Sequence, residues 1–414
     1  MNQYFRDTSK FFYGYIIVAI SLIIMALMWA GHYSFGVFFK PVLNEFGWTR
    51  ATTSGAFSVA ACLNAFLTIA MGWLTDRFGP RIVMTISGTL LGLGFLLMSQ
   101  INSIYHLYIF YGIFVGIGMS GAFIPLTSTV AKWFVKRRGL MTGIVTAGSG
   151  TGGLISPPIA SRLIINYGWR LSFIIFGSIV LLGVILLSQF IKKDPRSIGE
   201  VPYGANQIKK IEDKPSIEGL SLKEVIHCLK FWIFFPTGFC YGYCVFSIMV
   251  HIVPHAIELK IEPVQAANIL ASMGGLSIIG KILMGKIGDN IGSRYILIFG
   301  FILIFLALIT IVLTRNIKIL LLSGAIFGFG YGGIAVSHSP LIAEMFGLKA
   351  HGLIFGILNL SVMTGGALGP LLTGYIFDIT KSYQQAFLLC GGISLIGFIL
   401  ALFLKFIKKY SIIS

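Results

Sequence analysis

Gly72-Trp73-Leu74-Thr75-Asp76-Arg77-Phe78-Gly79-Pro80-Arg81 decides the fold because it is written twice: Gly285, Asp289, Gly292 and Arg294 stand 213 positions after Gly72, Asp76, Gly79 and Arg81. A second block obeys the same offset. Gly143, Gly152, Gly153 and Pro157 return as Gly356, Gly365, Gly366 and Pro370, although more than sixty residues separate the two blocks within each copy. One offset held across both blocks means that the chain is two copies of one long unit, joined in the same direction.

Each unit is built for lipid. Of 414 residues 56% are hydrophobic and 11% charged, and the mean hydropathy is +0.89, a balance that a soluble globule cannot bury. The formal charge of +17 is carried by short basic clusters between apolar runs. Such clusters suit a membrane surface and not nucleic acid, which needs a continuous basic face. Cys62, Cys228, Cys240, Cys244 and Cys390 show neither paired spacing nor zinc-ligand spacing and are expected as free thiols. Beginning at a polar stretch with Arg6 and Lys10, the first apolar run reads as an anchor and not a cleaved signal.

A bilayer core of roughly 30 Å takes about 20 apolar helical residues. Runs of that kind predict helices over 12–39, 51–74, 81–100, 104–131, 138–165 and 170–192, then 231–257, 263–287, 294–314, 317–344, 350–377 and 383–407. The expectation is an all-α membrane protein of twelve transmembrane helices in two pseudo-symmetric six-helix bundles, 1–192 and 231–414, joined by a polar cytoplasmic linker, 193–230. Of the 31 lysines and arginines, 22 fall on the termini and even-numbered loops and 8 on the odd loops, which places both termini in the cytoplasm.

The repeated loop resembles the signature loop of the major facilitator superfamily, with Asn290 in place of the usual basic residue in the second copy. That resemblance implies a transporter that rocks two halves about a central site. It also implies a conformational gate at Gly72, Asp76, Arg77, Gly79, Arg81, Gly285, Asp289, Gly292 and Arg294, where aspartate and arginine make a charge-assisted bond. Trp133-Phe134-Val135-Lys136-Arg137-Arg138, followed by Gly143 and Gly148, looks like the segment-five signature of the monocarboxylate transporters. Ser34 to Lys40 and Phe46-Gly47-Trp48-Thr49-Arg50 look like segment one and its outer loop in the bacterial monocarboxylate and oxalate:formate group. The glycines following Arg138 serve close helix packing and not phosphate binding, since no strand precedes them.

An ionisable residue in an apolar helix is a functional candidate, because placing it there costs about 2.5 kcal/mol or more. Lys281 lies four residues before Gly285, about 6 Å along the helix. The resemblance places it where relatives carry a carboxylate-pairing arginine; an aspartate that some proton-coupled relatives have one turn earlier is Ser277 here. The other reading is that Lys281 snorkels to the headgroups. His32, Tyr33, His251, His338 and Tyr331 are further candidates for the substrate site, and Tyr241, Tyr243 and Asn359 for its lining. Tyr33 takes the place of a lysine in animal monocarboxylate transporters. His251, His255 and Glu258 have a spacing a metal could use, but they approach a helix end where polar residues are cheap, and no metal or cofactor is expected.

Paired carboxylates, an activated nucleophile and a nucleotide loop are all lacking, which argues against an enzyme and ATP-driven transport. The expectation is a secondary transporter of the cell membrane, working as a monomer and moving a small organic anion, a monocarboxylate first, with proton symport or anion exchange. A drug or sugar carrier is the alternative within the superfamily; a channel or receptor is the alternative outside it.

Overall fold

The computed structural model describes residues 12–134, 137–204, 220–347 and 351–406, without the side chains of Asp76, Arg138, Asp289, His351, Lys405 and Phe406. Long apolar helices dominate: α1 Tyr13–Phe46, α2 Arg50–Phe78, α3 Pro80–Met98, α4 Ile104–Trp133, α7 Leu229–Glu258, α8 Pro263–Ile291, α9 Ser293–Leu313, α10 Ile317–Phe346, α11 His351–Thr380 and α12 Tyr383–Phe406. Between them, Arg138–Ser188 runs for 51 residues, about 75 Å at 1.5 Å per residue, far beyond one bilayer core. Gly168 divides it with a φ of 76°, a conformation that ends one helix and lets another start. The two parts are α5 before Gly168 and α6 after it, and the chain makes twelve crossings.

Both ends of the described chain lie at one end of the bundle, the terminal end; the opposite end is the far end. Leu182, Leu186, Phe66 and Ile69 are among many large apolar side chains left exposed. On a membrane protein that surface faces acyl chains. The α4 helix is irregular, with a π-helical stretch Tyr108–Val115 and a break before Ile124, whereas α10, its counterpart in the second copy, runs unbroken.

The repeat holds at atomic detail. A Cβ on Gly152 would stand 2.5 Å from the Ala26 carbonyl oxygen, and one on Gly365 would stand 2.2 Å from that of Phe239, again 213 residues on. Gly153 meets the Tyr33 ring as Gly366 meets the Phe246 ring. The copies therefore repeat the packing of α5 on α1 in that of α11 on α7. The turns of the signature loops match too, Gly79 at φ 85° and Gly292 at φ 96°.

Between the two sets of six, contact runs from the middle to the far end. Gly36 brings α1 onto the backbone of α7 at Met249 and Val250, Gly274 brings α8 onto α5 at Gly153, and Gly374 brings α11 onto α2 at Arg50. Nearer the terminal end, a Cβ on Gly143 or Gly356 would meet nothing within 4 Å. The connection between the sets contains a short helix, Leu222–Ile226, opened by reciprocal Ser221 and Glu224 capping. Its described ends dock alike: Tyr203 N–H donates to the Trp133 carbonyl and Leu220 N–H to that of Phe346, both at 2.9 Å and onto equivalent places. The middle of the expected linker, 205–219, lies outside the described residues.

Candidate functional site

Lys281 reaches across the molecule. From α8 its ammonium donates to Ser149 Oγ at 2.8 Å and to the Thr146 carbonyl at 3.4 Å, both on α5. Among the described residues no carboxylate pairs with it. The side chain thus turns into the joint between the two sets of helices and not toward the headgroup level. The backbone allows this approach: a Cβ on Gly150 would stand 2.9 Å from Ser277 Oγ and 3.0 Å from the Gly274 carbonyl.

Beside it, the buried hydroxyls of Tyr33 on α1 and Tyr331 on α10 hydrogen-bond to each other, a second bond between the two sets. Gly332 presses α10 onto α8, its Cβ position 2.5 Å from the Ser277 carbonyl and 3.2 Å from Lys281 N. Tyr331 and Lys281 are thereby neighbours. On α7, Tyr241 sets its ring edge-on to His338 at 5.5 Å, and His338 leaves Nε2 buried without a partner. Along this joint lie hydroxyls, one imidazole and, on α8, one ammonium. They offer donors to an anion, and among the described residues no acid is paired with Lys281.

Two of the sequence candidates lie elsewhere. His32 is boxed by rings of both sets, Phe57 at 4.7 Å and Trp29 at 5.3 Å from the first and Phe246 at 5.8 Å from the second, with Nδ1 unpartnered. His251 belongs to the far end, its Nε2 2.9 Å from the Pro370 carbonyl and its Nδ1 3.3 Å from the Tyr383 hydroxyl. Since the carbonyl only accepts, Nε2 carries the proton and Nδ1 accepts from Tyr383. Tyr243 is buried in the second set near Cys244 and Cys390, and Asn359 is half-buried on α11.

Of the gate loops, Arg81 Nε donates to Gln189 Oε1 on α6 at 2.7 Å, and Arg77 lies over Trp73 and Phe78, both at 5.3 Å. The side chains of Asp76 and Asp289, on which the expected gate turns, lie outside the described residues. Within the family motif, Trp133 is buried and donates to the Lys192 carbonyl at 3.2 Å, while Phe134 packs on Phe12 and Tyr203. Arg137 adopts φ 63°, and Gly148 seats α5 on α1 at Leu22. Lys136 lies outside the described residues.

The sequence reading missed a charge cluster at the far end. Arg50, 7% exposed, donates through Nη2 to Glu258 Oε1 at 2.7 Å and through Nη1 to the Tyr383 hydroxyl at 3.0 Å, with its guanidinium 3.7 Å from the Phe377 ring centre. Lys40 pairs with the same Glu258 oxygen at 3.2 Å. Asp378 caps α2 from the other set, accepting from Arg50 N–H at 3.0 Å and Ala51 N–H at 2.8 Å, where the helix dipole favours an anion. Phe46 to Arg50 and the His251, His255, Glu258 spacing were its only signals, and Arg50's side-chain partners are 208 to 333 residues away in sequence.

Known proteins agree with this architecture. The family model described as Major Facilitator Superfamily matches residues 18–313 and 234–411. Mouse monocarboxylate transporter 12 is 24% identical, the alignment covering 96% of this chain and 86% of that protein. Human monocarboxylate transporter 11 is 27% identical over 93% and 81%, and human monocarboxylate transporter 2 is 24% identical over 92% and 83%. Among solved structures, a bacterial homologue of the human lysosomal transporter Spinster, inward-facing and unoccupied, superposes with a TM-score of 0.76 at 17% identity, covering 96% of this chain and 97% of the other. Twelve crossings, an atom-level internal repeat and a family match over nearly the whole length make the chain a member of the Major Facilitator Superfamily, a multi-pass membrane transporter and not an enzyme.

Proposed function

We propose that the protein carries a small organic anion, a monocarboxylate first, across the cell membrane by alternating access, and that Lys281 meets the carboxylate. One observation carries the reading: Lys281 is a cation at mid-depth, on the joint between the halves, held by neutral oxygens alone. An ammonium in a poorly hydrated place is stabilised most by an anion, and none of the described carboxylates serves it. Tyr33, Tyr331 and His338 are placed to supply further hydrogen bonds in this reading, in which the Tyr33 to Tyr331 bond parts as the halves separate. Similarity to monocarboxylate transporters over most of the chain supports the same substrate class.

In this reading 1–192 and 231–414 rock as two bodies joined by 193–230, with both termini cytoplasmic, and a monomer suffices. Coupling is to a proton or to a counter-transported anion. With Ser277 where some relatives have an aspartate, the proton would need another carrier, and His338, whose buried Nε2 has no partner, is a candidate. The signature loops, with Asp76 and Asp289, act as the gate at the terminal end.

Uptake of lactate, pyruvate, formate and oxalate into proteoliposomes tests the reading. Flux is expected to saturate for at least one of them. Lys281→Gln is expected to cut affinity on the order of a hundredfold, whereas Lys281→Arg keeps much of it. Normal carboxylate uptake by a well-inserted Lys281→Gln protein would overturn the assignment.

A further inference from the structure

All the partners of the Arg50 guanidinium come from the opposite half: Glu258 on α7, Phe377 on α11 and Tyr383 on α12. The same holds for Lys40, paired with Glu258, and for the first N–H groups of α2, capped by Asp378. The first half contributes only cations and donors here, the second only carboxylates and rings. When the halves part at the far end, Arg50, Lys40 and the α2 N-terminus lose every one of these partners together. A buried cation stripped of its anion needs another, and this one is left facing the opened vestibule.

We propose that Arg50, with Lys40 and the N–H groups of Arg50 and Ala51, is a second carboxylate-binding subsite, occupied by Glu258 and Asp378 when the far end is closed and by a small carboxylate arriving from the far side when it is open. Two carboxylates already sit in it in this structure, one on the guanidinium and one on the helix N-terminus, which defines the chemistry it takes. The incoming anion and the second half's own acids compete for the same donors, so anion arrival favours an open far end and release toward Lys281 lets it close. The subsite rests on the anion-carrier reading for its role in transport, but its existence is measured without transport.

Phenylglyoxal modifies accessible arginine, and its rate at Arg50 in the purified protein is readable by mass spectrometry. Glu258→Gln is expected to raise that rate about tenfold, the scale of one lost charge-assisted bond. In that variant acetate slows the modification, while acetamide and sodium chloride at matched ionic strength do not. The slowing persists when Lys281→Gln is added, since the subsite is distinct from the central one. If Glu258→Gln fails to insert, Tyr383→Phe, which removes the hydroxyl that Arg50 Nη1 donates to, loosens the same guanidinium. An unchanged rate in the variants, equal protection by acetamide, or protection that vanishes with Lys281→Gln would each overturn the proposal; normal carboxylate uptake by Lys281→Gln would instead overturn only the central assignment.

Discussion

The two lateral joints of the far end occupy equivalent places in the repeat and are built of opposite chemistry. Where α2 meets α11, Asp378 caps the helix that begins at Arg50, and Gly374 lets the backbones touch. Subtracting or adding 213 carries Asp378 to Ile165, Arg50 to Pro263 and Gly374 to Ser161, at the joint of α5 with α8. There Pro263 has no N–H to cap, Ile165 has no charge to offer, and an almost wholly carbon-lined cavity of about 220 Å³ lies between Val37, Lys40, Ser161, Ile164, Val253 and Pro263. At mid-depth the roles reverse: Lys281 bonds across the α5 to α8 joint, whereas its counterpart Thr68 turns back to Asn64 on its own helix. Duplication preserved the helix contacts and left the side chains free to make one joint charged at the far end and the other apolar there, with a lone cation at mid-depth.

The largest effect expected from breaking this asymmetry comes from Arg50→Ala. It leaves Glu258 with Lys40 alone and removes the stacking on Phe377, a loss of roughly 2–3 kcal/mol from the closed far end after allowing for the partial exposure of Glu258. Spin labels at Asn44 and Lys381, on opposite halves, are expected to report a longer distance population in the variant. An unaltered distance distribution would show that the charges do not hold the joint.

A smaller effect is expected from giving the α2 to α11 joint the residue of its counterpart. In Gly374→Ser the new Cβ would stand 2.8 Å from the Arg50 carbonyl carbon and 2.9 Å from Ala51 N, which are backbone atoms that cannot swing aside. Overpacking of this kind costs about 1–3 kcal/mol. The same spin-label pair should register a partial opening, and a distribution like that of the unmodified protein would mean that α11 has room to yield.

How far the sequence anticipates this follows from the range of each signal. Twelve crossings, the break near Gly168 and the two glycine turns rest on local apolar length and φ, and the repeat rests on counting. Lys281 was legible because a cation in an apolar helix is anomalous wherever it points. Tyr33 and Tyr331 were each candidates for the site, but that they meet, 298 residues apart, was not legible, since nothing in either helix alone pairs them. His251 carried the same anomaly as His338 and sits instead beneath the far-end cluster, a depth that its place seven residues before Glu258 already gave. Arg50 was read only as part of the outer-loop motif for the opposite reason, lying at a helix start where a charge is unremarkable.

The smallest effect tests the apolar joint. Ser161 is 1% exposed, its hydroxyl has no partner, and it lines the cavity. Ser161→Leu removes a buried donor that nothing satisfies and adds two carbons beyond the replaced oxygen into the cavity, where each buried methylene contributes about 0.8 kcal/mol. Steric loss offsets part of this, so a net gain of roughly 1 kcal/mol is expected, seen as a rise of about 1–3 °C in the melting temperature of the purified protein. The gain belongs to the closed far end alone, because the cavity exists only while α1, α5, α7 and α8 meet around it. A variant that melts higher should therefore also turn over more slowly, with the spin-label distribution narrowed toward the closed distance. If Ser161→Leu melts lower, the cavity is needed as space for side chains to move through, and the α5 to α8 joint is as tightly specified as the charged one opposite.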